Sequence, residues 1–140
     1  MTSPPPSARK SERAPAVPLV LIVDDNEKNR KLARDVLRAA GLQTTEAASG
    51  GEGVALAAEC LPDVILLDLR LPDMDGTDIA RRLRDRVQTA RIPVVALSAL
   101  RYARDSDRLL EAGFDGYLEK PIDVRAFPEQ VRSYCGRASA

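Results

Sequence analysis

Four apolar residues in a row, Val64-Ile65-Leu66-Leu67, run straight into a carboxylate, Asp68. A half-exposed strand would alternate apolar with polar residues. An unbroken apolar run between turn signals predicts a strand buried on both faces. Strands of that kind belong to parallel sheets covered by helices, so this run points the chain towards an α/β layout. Leu19-Val20-Leu21-Ile22-Val23 repeats the pattern and runs into Asp24-Asp25. Beyond Asp68, Pro72 and Met74-Asp75-Gly76 predict a loop that leads into a helix. A carboxylate at the carboxyl end of a buried strand stands where ligands bind in open α/β sheets. Taken alone, Asp68 reads equally well as a turn residue.

The rest of the chain supplies the alternation. Glu27 to Ala40 places Leu32, Ala33, Val36, Leu37 and Ala40 at helical spacing, and Gly41 predicts the stop. Gln43 to Ala47 is a less apolar strand, suited to the sheet edge. Ser49-Gly50-Gly51 opens a helix with Val54, Ala57, Ala58 and Leu61 on its face. No Gly-Lys-Ser/Thr follows these glycines, so they predict a turn rather than a phosphate loop. The next helix, about Gly76 to Arg86, turns Ile79, Ala80 and Leu83 inward. Its Arg81, Arg82, Arg84 and Arg86 alternate with Asp78 and Asp85, which predicts a solvated face.

Pro93 to Leu97 is a fourth strand, ending in Ser98, and a helix through Asp107 to Ala112 stops at Gly113. Asp115 to Glu119 is a fifth strand, followed by Lys120-Pro121. The last helix begins near Asp123 and runs to about Tyr134. Pro128 disfavours helical geometry at Phe127, so this helix is expected to start irregularly or one turn late. Five strand–helix units in succession predict a parallel sheet with helices on both faces, joined by right-handed crossovers.

Composition removes whole classes of function. The 140 residues suffice for one domain, and the formal net charge is zero, so nothing global points to nucleic acid or an anionic membrane. No apolar run is long enough to span a bilayer and no signal-peptide core is visible, which makes the cytoplasm the expected location. Cys60 and Cys135 match no metal spacing and are expected as reduced thiols. There is no histidine, which excludes histidine triads, histidine-ligated zinc and any phosphohistidine step within the chain. Residues 1–18 are rich in Pro, Ser, Arg and Lys and are expected to be a disordered tail, with a partner-binding arm as the alternative.

A parallel sheet puts the carboxyl ends of its strands on one edge. Asp24 and Asp25, Asp68, Ser98 and Lys120 therefore converge there from four strands. Each has a dull explanation as a cap or a surface charge, but one site explains all of them together. Carboxylates within a few ångströms repel by roughly 4 kcal/mol per pair at an effective dielectric near 20, so either their pKa values rise or a cation compensates. Hard oxygen ligands beside a single ammonium suit magnesium, which binds few carboxylates and keeps room for a phosphate. A carboxylate can also attack a phosphoryl group to give an acyl phosphate, held by a cation, a lysine and a hydroxyl.

These residues, set in Leu21-Ile22-Val23-Asp24-Asp25-Asn26, Pro62 to Asp68, Leu71 to Gly76, Pro93 to Ala99 and Glu111 to Pro121, resemble the receiver domains of two-component response regulators. The resemblance covers Leu19 to Tyr134. Asp24 to Arg30 looks most like the stand-alone regulators of bacterial cell-cycle and polarity circuits, and like receivers fused to diguanylate cyclases. It implies a flavodoxin-like (βα)5 fold with strand order 2-1-3-4-5, a receiver domain over 19–135 and a short tail over 136–140. Asp68 would accept phosphate from a sensor histidine kinase or phosphotransfer protein. Asp25, Asp68 and the Arg70 carbonyl would hold Mg2+, with Asp24 acting through a water. Ser98 and Lys120 would bind the phosphoryl group, and Tyr117 would turn inward as Ser98 moves, remodelling a surface for a downstream effector around the fourth helix, fifth strand and fifth helix. The resemblance also places a cis bond between Lys120 and Pro121.

Such a protein is a switch, monomeric or weakly dimeric, with no enzymatic activity beyond self-phosphorylation from small phosphodonors and autodephosphorylation. Arg70 and Leu100 flank the approach of water and are expected to shield the acyl phosphate. Two alternatives compete with this reading. A magnesium-dependent phosphohydrolase with an aspartate nucleophile wants a second aspartate two positions on, where this chain has Arg70. A degenerate receiver that only binds proteins would not be expected to keep every acidic, hydroxyl and lysine position.

Overall fold

The structure is a computed structural model that describes residues 17–98, 106–120 and 122–135. Leu100, Pro121 with its expected cis bond, most of the N-terminal tail and the last five residues lie outside the described residues, as does the Ser98 side chain.

The elements alternate throughout: β1 (Leu19–Val23), α1 (Glu27–Ala39), β2 (Gln43–Ala47), α2 (Gly50–Cys60), β3 (Val64–Asp68), α3 (Gly76–Arg84), β4 (Val94–Ser98), α4 (Ser106–Ala112), β5 (Gly116–Glu119) and α5 (Phe127–Tyr134). The strands form one parallel sheet in the order β2-β1-β3-β4-β5, the order the resemblance implies. β3 is buried along its whole length, as its unbroken apolar run requires, while β2 at the edge is mostly half-exposed.

Strand periodicity divides the core in two. Leu21, Val23, Ile65, Leu67, Val94 and Ala96 face one way and pack with Val54, Ala57, Ile79 and Leu83 from α2 and α3. Val20, Ile22, Val64, Leu66, Val95 and Leu97 face the other way and pack with Ala33 and Leu37 of α1 and Phe127 and Val131 of α5. The sheet is thus covered on both faces.

Helix ends follow local rules. Gly41 at φ 90° and Gly113 at φ 107° take the left-handed conformation that L side chains avoid. In both cases the glycine N–H and the next residue's N–H bond back to the last turn: Gly41 to Arg38 and Leu42 to Leu37, then Gly113 to Leu110 and Phe114 to Leu109. α5 begins one turn late. Asp123 Oδ1 accepts from the N–H groups of Arg125 and Ala126, and Pro128 then falls at the start of the helix, where a missing N–H costs nothing.

Three expectations are corrected. Leu32 is 42% exposed, because the sheet covers only the stripe through Ala33 and Leu37. α3 ends at Arg84, short of Arg86. Arg84 does not belong to a solvated face. Its guanidinium donates to the carbonyls of Gly113, Ala90 and Ile92 and to Asp115 Oδ2, at 2.7–3.0 Å, joining α3 to the segments that enter β4 and β5.

Candidate functional site

The carboxyl edge of the sheet places Asp24 directly after β1, Asp68 as the last residue of β3, Ser98 as the last residue of β4 and Lys120 directly after β5. Ser98 lies opposite Glu119 in the β4–β5 register, next to Lys120 in the chain, so the backbone brings these positions to one place.

Asp24 is only 1% exposed, and each of its polar groups is engaged. Its N–H donates to the Ala47 carbonyl, its own carbonyl accepts from Arg30 Nη1 at 2.8 Å, and Oδ1 accepts from the Asn26 N–H at 2.9 Å. Asn26 in turn caps α1 by accepting from the Asn29 N–H. The start of α1 is therefore built onto the acidic edge. Asp25, next in the chain, is exposed.

Asp68 Oδ1 accepts from the Arg70 N–H at 2.9 Å, a local turn in which the side chain shapes its own loop. A single antiparallel bridge between Arg70 and Asp75 closes that loop, and the Arg70 side chain is exposed. Lys120 Nζ lies 2.9 Å from Asp24 Oδ2 and 3.1 Å from Asp68 Oδ2, bridging the two.

Burial pushes the Asp68 carboxyl above its ordinary value. The Arg70 N–H and the Lys120 ammonium oppose that rise, and the Asp24 charge adds to it. Burial pulls Lys120 down, but the hydrogen bond to Asp24 and the two carboxylate charges outweigh it and hold the ammonium above its usual range.

Carboxylate oxygens of Asp24, Asp25 and Asp68 lie within 4.8 Å of one another, so the three can reach one ion. All three donors are hard oxygens, and a single lysine leaves them under-compensated. The site therefore fits a small hard divalent cation better than a soft one. Tyr117, half-buried, packs against the core on the α3 side of the sheet and pairs with Ala96 across β4 and β5.

Some elements of the site escaped sequence reasoning. Asn26 and Arg30 hold Asp24 in place. Asp73 accepts from the N–H groups of Gly50 and Gly51 and so ties the loop after Asp68 to α2. Ser49-x-x-Glu52 has capping-box spacing, and Ser49 Oγ accepts from the Glu52 N–H while Glu52 Oε1 reaches back to the Ala48 N–H, one residue before the cap, but nothing in one sequence pairs Asp73 with a helix start 23 positions earlier.

A doubly wound five-stranded parallel sheet with an acid triad and a lysine at its carboxyl edge defines a flavodoxin-like α/β domain with its polar site at the carboxyl ends of the strands. The family model for the response regulator receiver domain matches residues 20–132. The polar-differentiation response regulator DivK of Brucella ovis is 41% identical over 119 residues, covering 85% of this chain and 97% of that protein. The chemotaxis response regulator CheY4 of Vibrio cholerae superposes with a TM-score of 0.79 at 26% identity, covering 84% of this chain and 98% of that one. The receiver domain of a Pseudomonas aeruginosa sensor histidine kinase, described with a magnesium ion coordinated in its active-site cleft, superposes with a TM-score of 0.75 at 31% identity over 89% of this chain and 99% of that one. The chain belongs to the response regulator receiver domain family. Among the described residues, no helix is long and apolar enough to cross a membrane.

Proposed function

We propose that this receiver is a phosphorylation switch in which Asp68 takes a phosphoryl group from a histidine kinase or phosphotransfer protein. The observation that carries the reading is the bridge of Lys120 Nζ between Asp24 and Asp68, which sets a cation beside a buried carboxylate that already meets two further carboxylates.

In the transfer, an Asp68 oxygen attacks the phosphorus of the donor's phosphohistidine. A P–O bond forms, the P–N bond breaks, and its electron pair returns to the donor imidazole, which takes a proton from solvent. Lys120 follows the charge from the carboxylate onto the phosphoryl oxygens, where it is positioned to stabilise what develops. The Ser98 hydroxyl is assigned to a phosphoryl oxygen. Asp24, Asp25, Asp68 and the Arg70 carbonyl are the groups assigned to magnesium, which when bound supplies positive charge to the transferring phosphoryl group.

Readout is by partner binding. Displacement of Ser98 towards the phosphoryl group vacates space that Tyr117 can fill, and an effector shifts that equilibrium only by its differential affinity for the two forms. The assigned location is the cytoplasm, where such kinases present their phosphohistidines, and the assigned state before phosphorylation is a monomer or weak dimer. Incubation with acetyl phosphate and magnesium, followed by intact mass measurement, should show one added phosphoryl group that chelation of the metal prevents. No gain in mass under saturating magnesium would count against the proposal.

A further inference from the structure

The loop from Leu69 to Asp75 carries the Arg70 carbonyl, and several of its ties are internal. Arg70 N–H reaches back to Asp68, Arg70 pairs with Asp75, and Gly76 N–H donates to the Leu69 carbonyl at 3.3 Å. These fix the shape of the loop but not its place relative to β1, which supplies Asp24 and Asp25.

Asp73 provides that reference. Its Oδ1 accepts from the Gly50 N–H at 2.9 Å and its Oδ2 from the Gly51 N–H at 3.0 Å. The first N–H groups of a helix have no partner within the helix. Here the Glu52 N–H is taken by Ser49 Oγ and the Gly53 N–H by the Ser49 carbonyl, so Asp73 completes the set from outside.

The packing around this clamp leaves no slack. A Cβ on Gly50 would stand 2.6 Å from Ile79 Cδ1 and 3.2 Å from Met74 Sδ, so the helix start presses on the loop and on α3. A Cβ on Gly53 would stand 2.9 Å from Val23 Cγ2, so the same helix turn rests on the last residue of β1, immediately before Asp24. Asp73, the first turn of α2 and Val23 thus form one continuous path between the loop of Arg70 and the strand of Asp24 and Asp25.

We infer that Asp73 is a positioning residue for the metal site, clamping the β3–α3 loop to the frame that carries the other acidic residues so that the Arg70 carbonyl is preset for the cation. The inference rests on the proposed function. A preset loop spares the cation the cost of ordering it, so loss of the clamp weakens metal binding while the reaction at full occupancy is preserved.

The test is a magnesium titration of the full chain by calorimetry, comparing the wild type with Asp73→Ala, Asp73→Asn and Ser49→Ala. Ser49→Ala removes a cap from the same helix without touching the loop. Asp73→Ala is expected to raise the magnesium Kd by about three- to tenfold, the size of losing one or two backbone hydrogen bonds. Asp73→Asn, which keeps one acceptor oxygen, should fall between. Acetyl phosphate labelling of Asp73→Ala should be slow at low magnesium and reach the wild-type rate at saturation. Without metal, amide exchange at Gly50, Gly51 and across the loop should quicken. Ser49→Ala should lower Tm and leave the Kd unchanged. If Asp73→Ala lowers Tm as Ser49→Ala does and leaves the Kd unchanged, Asp73 is only a helix cap and the inference fails alone. If the wild type itself does not bind magnesium, the proposed function fails and takes the inference with it.

Discussion

Lys120 Nζ stands 2.9 Å from Oδ2 of Asp24, a carboxylate 96 positions earlier and only 1% exposed. This contact joins the end of β5, at the edge of the sheet, to the end of β1, with β3 and β4 lying between them. Removing one partner of such a pair leaves a desolvated charge behind, which is strongly unfavourable. Lys120→Ala is therefore expected to cost about 2–3 kcal/mol in the absence of metal, below the range for a fully buried pair because the lysine keeps some access to water. Chemical denaturation in chelator checks this, and a loss under 0.5 kcal/mol would mean that water already compensates Asp24.

Asp68 should show the opposite behaviour. Burial holds its folded-state pKa above the ordinary 3.8. Below that value the group is protonated in both states and costs nothing. As pH rises through 3.8 the unfolded chain ionises first, and the folded protein loses stability until pH passes the raised value. Asp68→Asn does not titrate, so its Tm advantage over the wild type should open across that window and hold above it. Each kcal/mol relieved moves Tm by about 4 °C in a domain of this size. Thermal unfolding in chelator, from below the ordinary value to neutrality, reads it. A Tm gap that closes with rising pH would reverse the assigned sign.

Outside the site, Arg84 joins three segments at once. Its guanidinium satisfies the carbonyls of Gly113, Ala90 and Ile92, and Asp115 Oδ2 takes both that guanidinium and the Val94 N–H. Arg84→Ala orphans several of these at once and should cost about 2–4 kcal/mol. Arg81→Ala on the exposed side of the same helix should cost under about 0.5 kcal/mol. Equal losses for the two would contradict the role given to Arg84.

What the sequence disclosed and what it hid divide along a physical line. Continuous apolar runs report burial on both faces, so β1, β3 and β4 were legible, and their carboxyl ends named Asp24, Asp68 and Ser98 in advance. Gly41 and Gly113 announced their helix stops because only glycine sits easily at their φ values. Pro128 announced the late start of α5 because its missing N–H is tolerated in the first turn, although Phe127 before it is itself helical. Leu32 misled because helical spacing gives a stripe but not its width. Arg84 and Asp73 were hidden because most of their partners are backbone groups, which any residue supplies. A side chain that serves a carbonyl or an N–H in a distant segment leaves no mark at the other end of the bond.

The proposed switch requires a phosphoryl group bonded to Asp68 itself. Borohydride reduction converts an aspartyl phosphate to homoserine, so tandem mass spectrometry after labelling with acetyl phosphate and magnesium locates the acceptor directly. The result expected is homoserine at position 68 in the wild type and at no position in Asp68→Ala. Homoserine at Asp24 or Asp25 instead, or labelling retained in Asp68→Ala, would contradict the account.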